Sequence, residues 1–231
     1  MAGRLKSIIV NLNGLLKHKH HENFKLSSDE VQTIRNNLKG ISSDELGICN
    51  FKLNEELCSS TRADISYLKV CSNGQIFDLG VFALKKDCRM PMHNHHGMYG
   101  VVKVLFGSGR IQSFSPIRET QEHFSIDDIV DAEIVEDMSV SAKEGSNLMH
   151  LEPNSGNIHA ITADKNSPLV FLDLLMPPYD HLNYTVSYFE LVSTGECRKK
   201  CKLKVIPEPT DYRCDQLDYA AVIQDNPSFE N

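Results

Sequence analysis

The spacing of apolar residues along the chain changes once. Leu5, Ile8, Ile9, Leu12, Leu15 and Leu16 recur with a helical period, so residues 4–16 predict an amphipathic helix with one face to bury. Ser27 and Glu30 read as a capping box that opens a second helix. Val31, Ile34 and Leu38 form its buried stripe, and Gly40 ends it. After the turn SSDELGI, and from about Ile65 onward, the pattern is that of strands. ISYLKVC, QIFDLGVFAL, MYGVVKVLF, RIQSFSPI, AEIVED, NLMHLEP, GNIHAITA, PLVFLDLLM and TVSYFELV are rich in β-branched and aromatic residues. Turn residues separate several of them, among these Gly107-Ser108-Gly109 and Asn154-Ser155-Gly156. So many short strands predict an all-β sandwich or barrel. The lack of strand–helix alternation after residue 65 excludes a doubly wound sheet. The expected division is a helical segment over 1–45 packed on a barrel over 46–206. An acidic, proline-bearing tail over 207–231 is expected to wrap the barrel and fray at its tip.

Composition narrows the classes of partner. The 231 residues are 41% hydrophobic and 24% charged, with a formal net charge of -7, which argues against a nucleic-acid surface. No apolar run reaches the roughly 18 residues of a membrane span. The N-terminal stretch lacks the pattern of a secretory signal, so cytoplasmic residence is expected. A mitochondrial transit peptide is the second reading, since no acidic residue precedes Glu22; Arg4 as the sole arginine there weighs against it. Seven cysteines, an odd number at irregular spacings, read as reduced thiols. Cys197 and Cys201 read as part of a polar turn, GECRKKC, and the tract Lys17–His21 as a solvated basic turn.

The chemistry centres on Met90–Gly107, MPMHNHHGMYGVVKVLFG. On a strand, residues two apart share a face, so His93 and His95 aim both imidazoles at one point while Asn94 and His96 face away. Two neutral imidazoles make half of a metal site. For a third ligand the residues offer His159, opening a β-run after the turn Pro153–Gly156, and His150 in NLMHLEP. Asp173 stands alone among apolar neighbours in FLDLLMPPY, and a carboxyl buried there needs a partner. Tyr179 follows two prolines. Met92, Met98, Leu105 and Phe106 read as core or pocket wall, Met98 being the one placed against substrate. Tyr188 and Phe189 alternate, so one of the two faces inward.

The H-x-H pair followed by Gly107, and then P-x-x-G-x-x-H ending at His159, resemble the two cupin motifs. Most cupins carry a glutamate four or five residues after the H-x-H; here Tyr99 and Gly100 hold those positions. Three histidines without the carboxylate resemble the thiol dioxygenases. MPMHNHHGMYGVVKVLFG, SGNIHAITA, VFLDLLMPPYD and IPEPTDYRCD together resemble the cysteamine dioxygenase and plant cysteine oxidase family, over about Val31 to Asp215. The resemblance implies a cupin-like double-stranded β-helix holding Fe(II) on His93, His95 and His159. It implies catalytic roles for Asp173 and Tyr179 and substrate contacts from Tyr188 and Met98. The implied reaction turns an amine-bearing thiol into its sulfinic acid with O2. The implied substrate is cysteamine or the N-terminal cysteine of a protein or peptide, with a role in oxygen sensing and a monomeric state expected. Asn94 stands where the family has aspartate, His96 where it has proline, and Val186 where it has the cysteine that cross-links to tyrosine. Two other classes fit the same residues: a zinc-dependent cupin enzyme, and a non-catalytic cupin module with a structural metal.

Overall fold

The computed structural model describes residues 3–20, 23–48, 62–117, 124–143, 148–179, 186–195 and 199–218. Among the described residues two helices, α1 (Gly3–Leu16) and α2 (Ser28–Lys39), precede eleven strands. These are β1 (Ile65–Asn73), β2 (Phe77–Leu84), β3 (Arg89–Asn94), β4 (Tyr99–Pro116), β5 (Ile129–Ser141) and β6 (Leu148–Leu151). They continue with β7 (Ile158–Ala163), β8 (Leu169–Met176), β9 (Tyr188–Thr194), β10 (Lys200–Ile206) and β11 (Cys214–Leu217). The capping box forms as the sequence predicts: Glu30 N–H donates to Ser27 Oγ at 3.3 Å and Ser27 N–H to Glu30 Oε2 at 2.7 Å.

The architecture is the expected double-stranded β-helix, two sheets face to face whose pairings are antiparallel except that of β11 with β1. One sheet runs β11-β1-β2-β8-β4 with β6 beside β4. The other runs β4-β5-β10-β9-β3-β7, and β7 returns to β4. The helices cover the outer face of the first sheet, where Leu5, Leu12, Ile34 and Leu38 pack on Leu79, Val170, Leu172 and Leu174. This explains the apolar run of β8, interrupted by Asp173 alone: both of its faces are covered, and all eight of its residues are buried. Phe171, Asp173 and Leu175 face the space between the sheets.

Three local expectations change. Gly107-Ser108-Gly109 is not a turn between strands. β4 runs through it and bends from one sheet to the other, pairing with β8 before the bend and with β5 and β7 after it. Gly107 makes the corner: its φ is +78°, and a Cβ there would strike the Pro168 carbonyl oxygen. Cys201 is not in a polar turn but buried in β10, where Lys200, Lys202 and Lys204 alternate outward against Cys201, Leu203 and Val205; Cys197 lies outside the described residues. Within the C-terminal stretch, Cys214–Leu217 pairs in parallel with β1, an ordered strand where only a wrapping tail was expected.

Candidate metal centre

β3 and β7 lie side by side, with His93 directly opposite His159. His95 follows the last residue of β3. Gly97, with a φ of +72°, lets the chain reverse into β4, and Met98 N–H closes the turn on the His95 carbonyl at 2.9 Å. The three rings converge with centroids 4.7–4.9 Å apart in edge-on arrangement. One nitrogen of each lies within 4.8 Å of the others, and His95 Nε2 and His159 Nε2 are 3.2 Å apart. Among the described residues no carboxylate or thiol joins the group.

The outer ring nitrogens decide what the inner ones offer. His93 Nδ1 lies 2.7 Å from the Pro91 carbonyl oxygen, an acceptor only, so Nδ1 carries the proton and Nε2 presents its lone pair. His95 Nδ1 lies 2.5 Å from the Tyr179 hydroxyl, which donates to the Asn94 carbonyl at 3.3 Å. Nδ1–H of His95 therefore donates to the tyrosine oxygen, and Nε2 is again free. His159 Nδ1 is buried without a partner. Burial, and then the charge of neighbouring imidazoles, holds His95 and His159 well below the usual histidine range; burial lowers His93 as well. Three neutral imidazoles aiming lone pairs at one point repel one another unless a cation lies between them. The donor set thus fits a divalent metal held by His93, His95 and His159.

A cavity of about 460 Å³ opens on this point. Phe82, Met90, Ile161, Phe171 and Leu175 make its apolar wall, and Asp173, Tyr179, Tyr188 and Tyr212 supply the polar groups. Met90 and His93 both face inward because a bulge between them shifts the register. Asp173 Oδ1 is buried without a hydrogen-bond partner, and burial raises the carboxyl to about 7. No hydrogen bond ties that oxygen to an imidazole. Tyr179 is 41% exposed as a residue, but its hydroxyl end is turned in to His95. The hydroxyl is engaged in positioning a histidine. Met98 is fully buried and is not among the residues lining the cavity, so the substrate contact expected of it is not seen.

Tyr188 lines the cavity opposite His93, while Phe189 packs the core on the other side of the strand. The Tyr188 hydroxyl donates to Glu208 at 3.3 Å, and burial, then Glu208, pushes it up to about 12. Val186 lines the same cavity. His150 stays apart on β6, half-buried and 3.6 Å from Glu152. Tyr99, in a position where most cupins have glutamate, turns to the helices and accepts the Leu26 N–H at 3.2 Å.

The sequence reading passed over Asn157. Buried two residues before His159, it accepts His95 N–H at 2.9 Å and donates to the carbonyls of His95, Met98 and Glu152 at 2.8–3.2 Å. One amide thus fixes the turn that carries His95 to the strand that carries His159. Only its place between Gly156 and the β-run hinted at this. Asn94, expected to face away from the metal, accepts Ser187 N–H at 2.7 Å and ties β3 to the start of β9.

Human 2-aminoethanethiol dioxygenase is 27% identical over 172 residues, covering 66% of this chain and 61% of that protein. Plant cysteine oxidase 1 of Arabidopsis thaliana is 28% identical over 162 residues, covering 66% of this chain and 52% of that protein. The chain therefore spans less than two thirds of the length of these relatives. Among solved structures, a Klebsiella pneumoniae protein with a double-stranded β-helix domain aligns at a TM-score of 0.41 and 12% identity, over 59% of this chain and 94% of that one. The family model PCO_ADO matches residues 18–222, most of the chain, and the protein belongs to that family.

Proposed function

We propose that the protein is a non-haem iron thiol dioxygenase that converts an amine-bearing thiol, cysteamine or an N-terminal cysteine, to its sulfinic acid. The observation that carries this reading is the set of three buried, neutral histidines, joined by no carboxylate among the described residues, at the end of a largely apolar cavity. The kinship with 2-aminoethanethiol dioxygenases and plant cysteine oxidases supports it. Neutral ligands leave the full charge of an Fe(II) ion, which when bound would hold a thiolate and O2 side by side. The reaction balances without a reductant: R–SH and O2 give R–SO2H, the S–H bond being lost and both oxygen atoms entering sulfur.

The chain's own groups do the rest. Phe82, Phe171, Ile161 and Leu175 exclude water around the thiol. Asp173 Oδ1, without a protein partner, accepts the N–H of the substrate ammonium. Pro91 and Tyr179 fix the rings of His93 and His95. With O2 as the only oxidant, turnover follows dissolved oxygen, which suits an oxygen-sensing role. The test is oxygen uptake by iron-loaded protein with cysteamine and with a Cys-initiated peptide, with zinc-loaded protein as control. Mass spectrometry in labelled O2 should find both label atoms in the sulfinate; product oxygen drawn from solvent, or equal activity with zinc, would overturn the reading.

A further inference from the structure

Pro91 holds the outer nitrogen of His93 and Tyr179 that of His95, but His159 Nδ1 is buried with no partner among the described residues. A metal-ligating histidine is oriented by the hydrogen bond that its second ring N–H donates. Strand register shows what stands beside His159. On β4 Ser113 lies directly opposite it, and on β5 Glu136 lies directly opposite Ser113. Directly opposed side chains share a face, so the three form one row. Two residues along, Ile161, Ile111 and Met138 make the next row of that face and pack between the sheets. Phe114, Ile158 and Ile134 face the other way. Glu136, two residues from Ile134, would by alternation face with it. A bulge at Val135 shifts the register and turns Glu136 inward beside Ser113 instead. Ser113 is 1% exposed, and Glu136 Oε2 is buried with no partner among the described residues. A buried acceptor and a buried ring nitrogen therefore stand on either side of one buried hydroxyl.

We propose that Ser113 and Glu136 are positioning residues for His159: in the metal-loaded protein Ser113 Oγ accepts the Nδ1–H of His159 and donates its own hydrogen to Glu136 Oε2. The proposal rests on the three-histidine metal centre of the reading above and supplies the outer support its third ligand lacks. Opposed residues hold their Cβ atoms about 5 Å apart, so about 10 Å separates those of His159 and Glu136. The imidazole and the carboxylate extend into this span from its two ends, and the serine stands at its middle. A hydroxyl donates one hydrogen and accepts others, so one rotamer of Ser113 serves both groups. The carboxylate orients the hydroxyl, and the hydroxyl orients the ring. His159 Nε2 then keeps its lone pair for the metal, and the charge of Glu136 makes the imidazole a stronger donor.

The experiment uses the full chain loaded with Fe(II) without oxygen, and compares the wild type with Ser113→Ala and Glu136→Gln. Alanine removes the link; glutamine keeps the volume and an acceptor but removes the charge. Two readouts are independent of turnover: iron affinity by chelator competition, and the Fe(III)/Fe(II) potential by spectroelectrochemical titration. Ser113→Ala should weaken iron binding about tenfold with an unchanged circular dichroism spectrum. Glu136→Gln should hold iron more tightly than Ser113→Ala does, yet shift the potential upward, because a nearby negative charge favours Fe(III). A role in packing alone would not move the potential of this isosteric variant. Wild-type iron affinity in Ser113→Ala, or a wild-type potential in Glu136→Gln, would overturn the proposal. Both expected shifts in a protein that oxidises neither cysteamine nor a Cys-initiated peptide would instead remove the proposed reaction and leave the support of His159 standing.

Discussion

Asp173→Asn keeps the side-chain volume and removes a charge that the fold holds at a disadvantage. The carboxyl lies between Leu172 and Leu174 on a wholly buried strand, and burial raises it from an ordinary 3.8 to about 7. Between those values the folded protein keeps a proton that the unfolded chain has released. The folded state binds more protons there, so stability falls as pH rises from about 4 to 7. The full difference corresponds to about 4 kcal/mol, of which about 2.5 kcal/mol falls between pH 5 and pH 8. Asparagine has no such dependence. In metal-free protein, urea denaturation should therefore find Asp173→Asn gaining about 2–3 kcal/mol on the wild type between pH 5 and pH 8. The same variant, iron-loaded, should lose roughly 10- to 100-fold in kcat/KM, because the substrate ammonium loses its charged partner and keeps only a neutral amide oxygen. Parallel stability profiles for the two proteins would show that the carboxyl is not held neutral by burial, and undiminished activity would return Asp173 to a structural role.

Metal content should separate the two candidate third ligands: His159→Ala should purify without iron, and His150→Ala should keep it; the reverse result would displace His159. Tyr179→Phe removes the group on His95 Nδ1 and should weaken iron binding roughly 10- to 100-fold with the fold retained, as read by chelator competition and circular dichroism. An unchanged affinity would leave Tyr179 as a cap on the cavity mouth. Tyr188 should remain a free phenol after many turnovers, because Val186 has no sulfur and no cysteine lines the cavity among the described residues; a peptide map joining Tyr188 to a cysteine would refute this.

Local pattern determined much of this protein. Helical spacing, the Ser27–Glu30 box and period-two alternation are properties of neighbouring residues, and they placed both helices and most strands. Strand parity placed His93 and His95 on one face, although His95 stands just past the strand end. Contacts between distant segments lay beyond such patterns. The bend at Gly107 was read as a turn because glycine permits both; the ladders to β8 on one side and to β5 and β7 on the other make it a corner. Lys200 and Cys201 read as part of a polar turn until Cys201, with Leu203 and Val205, found a core to face. The P-x-x-G-x-x-H motif favoured His159 over His150, and the pairing of β7 with β3, which no local pattern encodes, sets His159 opposite His93. Asn157 as a clamp, Tyr179 as the partner of His95 and the removal of Met98 from the cavity are likewise tertiary facts. Each depends on which backbone or ring lies across a sheet from the side chain, and that is fixed only when the two sheets close on each other.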